Sequence, residues 1–147
     1  MTYKEVNGNL FDAPKEYYLA HCISADFGMG KGIVVEFNNR YDMKNKLQAR
    51  FPNYLSWYNR VNIGGDCLLE GKVFNLITKE HYWDKPTLQT MKKALMKMRH
   101  LCLKENVFYL AMPKIGAGLD RLNWNDVSKL LQEVFKDTDI DVVVYYL

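Results

Sequence analysis

Two glycines lie between a short apolar run and the start of a helix in the segment at residues 107–126. Residues 107–111 are apolar and of strand length, and Asn123 begins an amphipathic helix with Trp124 and Val127 on its inner face. Between them lies the sequence MPKIGAGLDRL at residues 112–122. Glycines at a strand-to-helix junction let backbone N–H groups approach an anion, and the N-terminus of the helix favours negative charge. The segment is therefore typical of an α/β fold with an anion-binding loop.

Strand and helix patterns alternate along the rest of the chain. Residues 17–24 are almost continuously apolar, as in a strand covered on both faces, and residues 32–41 predict a short helix. Residues 42–62 indicate one or two short helices interrupted at Pro52, and residues 66–69 and 73–78 indicate a hairpin. Apolar residues from Leu88 to Cys102 recur every three or four positions, which predicts a helix of about five turns. Residues 140–147 read as a final strand, so we expect a mixed sheet between layers of helices.

Composition limits the class of protein. With 147 residues the chain is long enough for one domain with a full core, and we expect one domain over residues 1–147. Twenty basic against 17 acidic residues give a net charge of +3, too small to indicate nucleic-acid binding by itself. No apolar run reaches membrane length and the N-terminus lacks an apolar signal region, so we expect no membrane partner. Three widely spaced cysteines have no metal-like spacing and suggest reduced thiols in the cytoplasm, or also the nucleus of a eukaryote.

Three strand ends are expected to meet at one ligand crevice, because ligands of α/β sheets bind outside the carboxyl ends of the strands. The strand ending near Ser24 leads into a second glycine loop, GMGKG at residues 28–32, and the strand ending near Thr78 delivers Lys79. Two glycine loops at one crevice suit a ligand with two phosphates, with Lys79 and Asp120 as neighbours at its far end. The spacing fits neither a Rossmann fingerprint nor a P-loop.

Six segments of the chain together resemble the macrodomains, in particular the terminal ADP-ribose protein glycohydrolase branch. They are NGNLF at 7–11, LAHCIS at 19–24, GMGKGI at 28–33, LITK at 76–79, KPT at 85–87 and MPKIGAGLDRL at 112–122. The match runs in order over essentially the whole chain, to the closing VYYL at 144–147. The resemblance implies a three-layer α/β/α sandwich with a largely parallel sheet. It also implies binding of ADP-ribose and its removal from acidic side chains of proteins, with no cofactor and no metal.

The same resemblance implies the roles of individual residues. Lys79 corresponds to the lysine that attacks the distal ribose and forms a covalent adduct, and Asp120 to the aspartate that acts as acid and base. An acyl-linked ribose has a good leaving group, so one nucleophile and one proton-transfer group suffice for this chemistry. The residues that the resemblance places against the substrate are Asn9, Leu10, Ser24, Gly28, Met29, Gly30, Gly32, Ile33, Pro113, Ile115, Gly116, Ala117, Gly118, Leu119 and Tyr145.

Asn9 departs from the family pattern, in which an aspartate commonly accepts a hydrogen bond from the adenine amino group. The Asn9 amide oxygen can accept the same bond, but it loses the charge assistance, which is worth about 1 kcal/mol. From the residues alone, Asn9 is also explained as a turn asparagine, Ser24 as a strand-end serine and Tyr145 as a core aromatic. Without the resemblance, Lys79 would be a solvated strand-end lysine paired with Glu80, and Asp120 a loop aspartate paired with Arg121. His21 reads as a buried core histidine, and Trp83 either packs or lines the site.

Three functions fit these residues. The first is an ADP-ribosyl hydrolase acting on protein esters or O-acyl-ADP-ribose, and the second is a hydrolase that removes ADP-ribose from DNA, as in toxin–antitoxin pairs. The third is a binding module without turnover, against which the presence of both Lys79 and Asp120 argues. We therefore expect a monomeric enzyme whose partners are ADP-ribose and ADP-ribosylated proteins. Nucleic acid would be a partner only as an ADP-ribosylated substrate.

Overall fold

Six strands and five helices alternate along the chain in the computed structural model, which describes residues 1–147. The strands are β1 (Thr2–Asn7), β2 (Tyr18–Ser24), β3 (Asp66–Glu70), β4 (Val73–Lys79), β5 (Tyr109–Met112) and β6 (Asp141–Tyr146). The helices are α1 (Val34–Tyr41), α2 (Met43–Arg50), α3 (Tyr54–Arg60), α4 (Leu88–Glu105) and α5 (Trp124–Phe135), and a 3₁₀ turn spans Leu10–Asp12. None of the helices is both long enough and apolar enough to span a bilayer.

The strands form one mixed sheet in the order β1-β6-β5-β2-β4-β3. Every neighbouring pair is parallel except β3 and β4, which form the antiparallel hairpin expected from the sequence. The carboxyl ends of β5, β2 and β4 are therefore adjacent at one edge of the sheet. These strands carry Met112, Ser24 and Lys79 at their last positions.

Two apolar clusters, one on each face of the sheet, make the fold a three-layer sandwich. One cluster buries α4 and α5 through residues such as Leu95 and Leu131, and the other buries α1, α2 and α3 through residues such as Phe37 and Leu47. Alternate strand residues supply the two clusters, since successive side chains of a strand point to opposite faces. The observed layers and the largely parallel sheet confirm the expected fold class.

Element boundaries differ from the predicted ones where the backbone adopts left-handed conformations. The strand expected from residue 107 begins at Tyr109, because Asn106 (φ 56°) ends α4 and the Val107 N–H bonds back to the Cys102 carbonyl at 2.8 Å. The first helix begins at Val34 rather than at Gly32, whose φ of +77° is outside the helical region. The residue pattern alone gave no sign of β1, a largely exposed edge strand without a continuous apolar face.

Candidate functional site

Lys79 and Asp120 form an ion pair at the carboxyl edge of the sheet. Their Nζ and Oδ1 atoms are 2.7 Å apart, although 41 positions separate the residues in sequence. Only 14% of the Lys79 side chain and 16% of the Asp120 side chain are exposed. Lys79 is the last residue of β4, and Asp120 comes from the loop after β5, two strands away in the sheet. The fold thus brings the two residues that the resemblance implicates in catalysis into one partly enclosed pair, and their predicted proximity is present in the structure.

The loop at residues 113–122 brings Asp120 to that position through tight turns. Gly116 has a φ of +73°, and its carbonyl accepts the Leu122 N–H at 2.7 Å. Gly118 and Leu119 are exposed, whereas the Ile115 side chain is buried in the core. The exposed residues of this loop are Gly118, Leu119 and Arg121, and Ile115 can reach a ligand only through its backbone.

The two glycine loops meet across the crevice. A Cβ atom placed on Gly32 would lie 3.3 Å from Leu119 Cδ1. Lys85 donates a hydrogen bond of 2.8 Å from Nζ to the Leu119 carbonyl and so holds the exposed part of the loop at residues 113–122. Gly30, Gly32 and Ile33 are exposed in the first loop, whereas Met29 is buried in the core. The predicted convergence of the loops is present in the structure.

Asp26 holds the first glycine loop in place through hydrogen bonds, and the sequence analysis did not select this residue. Its carboxylate accepts hydrogen bonds from the Ser24 hydroxyl, from the Gly28 N–H at 2.9 Å and from the Tyr82 N–H at 3.0 Å. Burial acts to raise the pKa of Asp26, but these three donors lower it below its usual value overall. The spacing of Asp26 two residues before Gly28 is typical of an Asx turn, and this signal could have revealed it.

Ser24 is buried and its hydroxyl is directed to Asp26. Of the two roles open from the sequence, the structure therefore shows the strand-end serine that bonds its own loop. Contact with a ribose would require this hydroxyl to give up or share its bond to Asp26.

Asn9, Leu10 and Tyr145 lie together at the other end of the crevice, beside β1 and β6. The Gly8 N–H bonds to the Tyr146 carbonyl at 2.8 Å, and the Tyr145 ring lies 3.6 Å from a Cβ placed on Gly8. The Asn9 side-chain oxygen accepts the Phe11 N–H at 2.9 Å and so caps the 3₁₀ turn. Asn9 therefore stabilises this turn, which is one of the two roles open from the sequence. Its side-chain oxygen has a second lone pair that can accept a hydrogen bond from a ligand.

His21 is buried and Cys22 is half-buried beneath the site, and neither is suited to catalysis. Burial, and next the nearby Asp120 carboxylate, raise the pKa of the Cys22 thiol, so it does not supply a thiolate. His21 is fully buried, with Nε2 2.6 Å from Asn75 Oδ1 and its ring stacked on Phe37. Burial lowers the pKa of His21 to about 4, which keeps it neutral as the expected core histidine. No group of three or more His, Cys, Asp or Glu side chains is arranged to hold a metal ion.

Comparison with known proteins places the chain in a family. No model of a protein family matches the sequence. Human ADP-ribose glycohydrolase OARD1 is 40% identical over 146 residues, which cover 97% of this chain and 90% of the human protein. The chain belongs to the macrodomain family, in its terminal ADP-ribose glycohydrolase branch.

Bacterial proteins show the same macrodomain fold. The DNA ADP-ribosyl glycohydrolase of Mycobacterium tuberculosis is 26% identical over 154 residues, covering 95% of this chain and 40% of the bacterial protein. The solved structure of the macrodomain of Mycobacterium tuberculosis DarG superposes with a TM-score of 0.83 at 24% identity, covering 99% of this chain and 98% of that one. At that identity the structural likeness concerns the fold alone.

Proposed function

We propose that this macrodomain is an ADP-ribosyl hydrolase that releases ADP-ribose from acidic side chains of proteins and from O-acyl-ADP-ribose. The observation that carries the proposal is the enclosed Lys79–Asp120 pair between two converging glycine loops. The 40% identity to an ADP-ribose glycohydrolase supports the same reaction class. A binding module would need the glycine loops but not this pair.

The phosphates of ADP-ribose would lie between the two loops, against the exposed backbone at Gly30 and Gly118. Adenine would lie at Asn9 and Tyr145, at the β1 and β6 end of the sheet. A ligand in this orientation directs its distal ribose toward β4. The anomeric carbon then lies near Lys79 Nζ.

One proton shared by Lys79 and Asp120 prepares both groups for the reaction. The ion pair has an ammonium and a carboxylate, and proton transfer across the 2.7 Å hydrogen bond gives an amine and a carboxylic acid. The amine is the nucleophile that the reaction needs, and the acid is the proton donor. The pair therefore reaches its reactive form without taking a proton from solvent.

The proposed reaction proceeds in two displacements. Lys79 Nζ forms a bond to the anomeric carbon while the bond to the acyl oxygen breaks, and the departing carboxylate keeps the electron pair and takes the proton of Asp120. Asp120, now a carboxylate, removes a proton from water as the water oxygen attacks the same carbon. The carbon–nitrogen bond breaks in this same displacement, which releases ADP-ribose and regenerates Lys79 as the amine and Asp120 as the acid.

A side-by-side turnover assay tests the proposal. The protein is incubated with glutamate-linked ADP-ribosylated protein and with O-acetyl-ADP-ribose, and free ADP-ribose is followed. We expect release from both, no release by Lys79→Ala, and unchanged release by Lys129→Ala, which removes an exposed lysine of α5. A folded wild-type protein that binds ADP-ribose but releases none from either substrate would be a binding module, contrary to the proposal.

A further inference from the structure

A groove of about 770 Å³ lies along the outer edge of the sheet, apart from the crevice between the glycine loops. Its walls are α3 with the end of α2 on one side and Lys97 of α4 on the other. Asp66 and Leu68 of β3 are buried at its base. Because β3 is the last strand in the sheet order, no further strand covers this edge. We call this cavity the edge groove, and it contains none of the residues predicted for the site.

The edge groove carries an excess of positive charge. Arg50, Arg60 and Lys97 line it together with one carboxylate, that of Asp66. Lys97 Nζ lies 3.0 Å from Asp66 Oδ1, so these two charges compensate each other. Arg50 lies 3.2 Å from the Glu70 carboxylate, but 54% of its side chain remains exposed. Arg60 is exposed and forms no ion pair, which leaves its charge free for a ligand.

Aromatic side chains form one wall of the edge groove. Trp57 is 39% exposed there, and its ring lies against Tyr54 with a centroid distance of 5.5 Å. The Tyr54 hydroxyl donates a hydrogen bond to Asp66 Oδ2, which fixes this wall to β3. Exposed tryptophan and arginine side chains are enriched where proteins bind one another. The groove can therefore contact both the charged groups and the apolar stems of a polypeptide.

The edge groove begins close to the reactive pair. Asp66 is paired with Ile77 in the β3–β4 ladder, two residues before Lys79. The rise along a strand and the spacing between strands place the Cα atoms of Asp66 and Lys79 about 8 Å apart. Asn59 of α3 donates a hydrogen bond to Glu80, the residue after Lys79. The crevice runs from β1 and β6 to β4, and the groove continues in the same direction on β3.

We propose that the edge groove binds acidic residues that flank the modified carboxylate in an acceptor protein. This inference rests on the proposed function, because that function attaches a polypeptide to the anomeric carbon beside Lys79. Arg50 donates a hydrogen bond of 3.1 Å to the Leu69 carbonyl near the far end of β3. The length of β3 is about 14 Å, enough for about four extended residues of the acceptor. Their carboxylates would meet Arg60 first and Arg50 last, whereas O-acetyl-ADP-ribose has no chain that reaches the groove.

Turnover of two matched peptides tests this inference. Each peptide carries ADP-ribose on one glutamate, which is flanked on both sides by aspartates in one peptide and by serines in the other. The wild type should have a kcat/KM about fivefold higher on the aspartate peptide, the size expected for one or two partly exposed ion pairs. Arg60→Gln should at least halve this preference, and Arg60→Glu should abolish it. Both variants should stay within about twofold of the wild type on O-acetyl-ADP-ribose, since no ion pair is lost there.

Lys129→Glu is the matched control, because it makes the same change of charge at an exposed lysine of α5. This helix packs on the opposite face of the sheet from α3, so the variant should keep the preference for the aspartate peptide. Equal kcat/KM values of the wild type on the two peptides would overturn the inference. A preference that survives Arg60→Glu, or an equal loss of that variant on O-acetyl-ADP-ribose, would do the same.

Two further outcomes separate this inference from its alternatives. An unmodified oligonucleotide that inhibits the wild type on the aspartate peptide, but not Arg60→Glu on the serine peptide, would assign the groove to nucleic acid and overturn the inference. A wild-type protein that cleaves O-acetyl-ADP-ribose without distinguishing the peptides would refute this inference alone. Failure to turn over any of the three substrates would refute the proposed function.

Discussion

His21 couples the stability of the sheet to pH. Burial lowers its pKa from the usual 6.5 to about 4, so the unfolded chain binds a proton at higher pH than the folded chain does. The contribution of this pKa difference to the free energy of unfolding is complete above about pH 6.5 and is lost as the pH falls toward 4. The total loss is about 3 kcal/mol. His21 has one ring nitrogen, Nδ1, without a hydrogen-bond partner. Protonation there would place an unpaired charge in the core.

A His21→Gln variant should therefore show a flatter pH dependence. We expect it to be less stable than the wild type at pH 7, because the stack on Phe37 is lost, yet to lose less stability between pH 7 and pH 4.5. Urea unfolding at several pH values measures both quantities. His100→Gln changes an exposed histidine and should retain the wild-type slope. An unchanged slope in His21→Gln would show that His21 is not the group responsible.

Asn9 stands where the family resemblance leads us to expect an aspartate. A carboxylate at this position would keep the Phe11 N–H on one oxygen and offer the other, now charged, to the adenine amino group. Asn9→Asp should tighten ADP-ribose binding by about 1 kcal/mol, or roughly fivefold. Calorimetry with ribose 5-phosphate is the control, since that ligand has no base. An equal gain in affinity for the two ligands would show that the substitution acts through the conformation of the loop and not through adenine recognition.

The loop after β5 contains two glycines with different structural requirements. Gly116 has a left-handed φ, and an added Cβ would lie 2.8 Å from Met91 Cε and 3.0 Å from Leu122 Cδ1. Gly118 has nothing within 4 Å of its Cβ position and no left-handed φ. Only the first glycine is therefore required by the backbone of the unliganded loop.

Alanine substitutions should separate these two glycines. Gly116→Ala should lower the free energy of unfolding by about 1 to 3 kcal/mol, through strain and the contact with Met91. Gly118→Ala should change it by less than about 0.5 kcal/mol. Urea unfolding without ligand measures both values. A similar loss in the two variants would mean that the loop conformation does not depend on Gly116.

Elements with a clear apolar period were predictable from the sequence, and elements without one were not. The amphipathic helices α4 and α5 and the buried strand β2 lie close to their predicted positions because burial fixes their patterns. The edge strand β1 has a mostly exposed, polar surface, so its pairing with β6 left no comparable pattern. The start of β5 depended on the left-handed Asn106, and no apolar period marks such a turn.

For the molecule as a whole, the sequence predicted which residues form the site better than it predicted the hydrogen bonds and ring contacts that hold the loops of the site in place. Strand ends converge in any parallel sheet, so Lys79 and Asp120 could be placed together without coordinates. The hydrogen bonds of Asp26 join two loops that follow different strands. The stack of His81 on Trp83 depends on the direction of the two side chains. Such contacts follow from the packed fold and have no local sequence period.

In the proposed reaction, Lys79 attacks the substrate and Asp120 completes the cycle. Lys79→Ala should abolish release of ADP-ribose while retaining most binding, because the glycine loops that would hold the phosphates are intact. Asp120→Ala removes the group that activates water, so an adduct on Lys79 should accumulate.

Intact-protein mass spectrometry after incubation with ADP-ribose tests the claim most directly. The predicted result is an added mass on Asp120→Ala, located at Lys79, and none on the Lys79→Ala, Asp120→Ala double variant. Turnover of O-acetyl-ADP-ribose by Lys79→Ala at the wild-type rate would contradict the claim, and Asp120 would then activate water without a covalent intermediate.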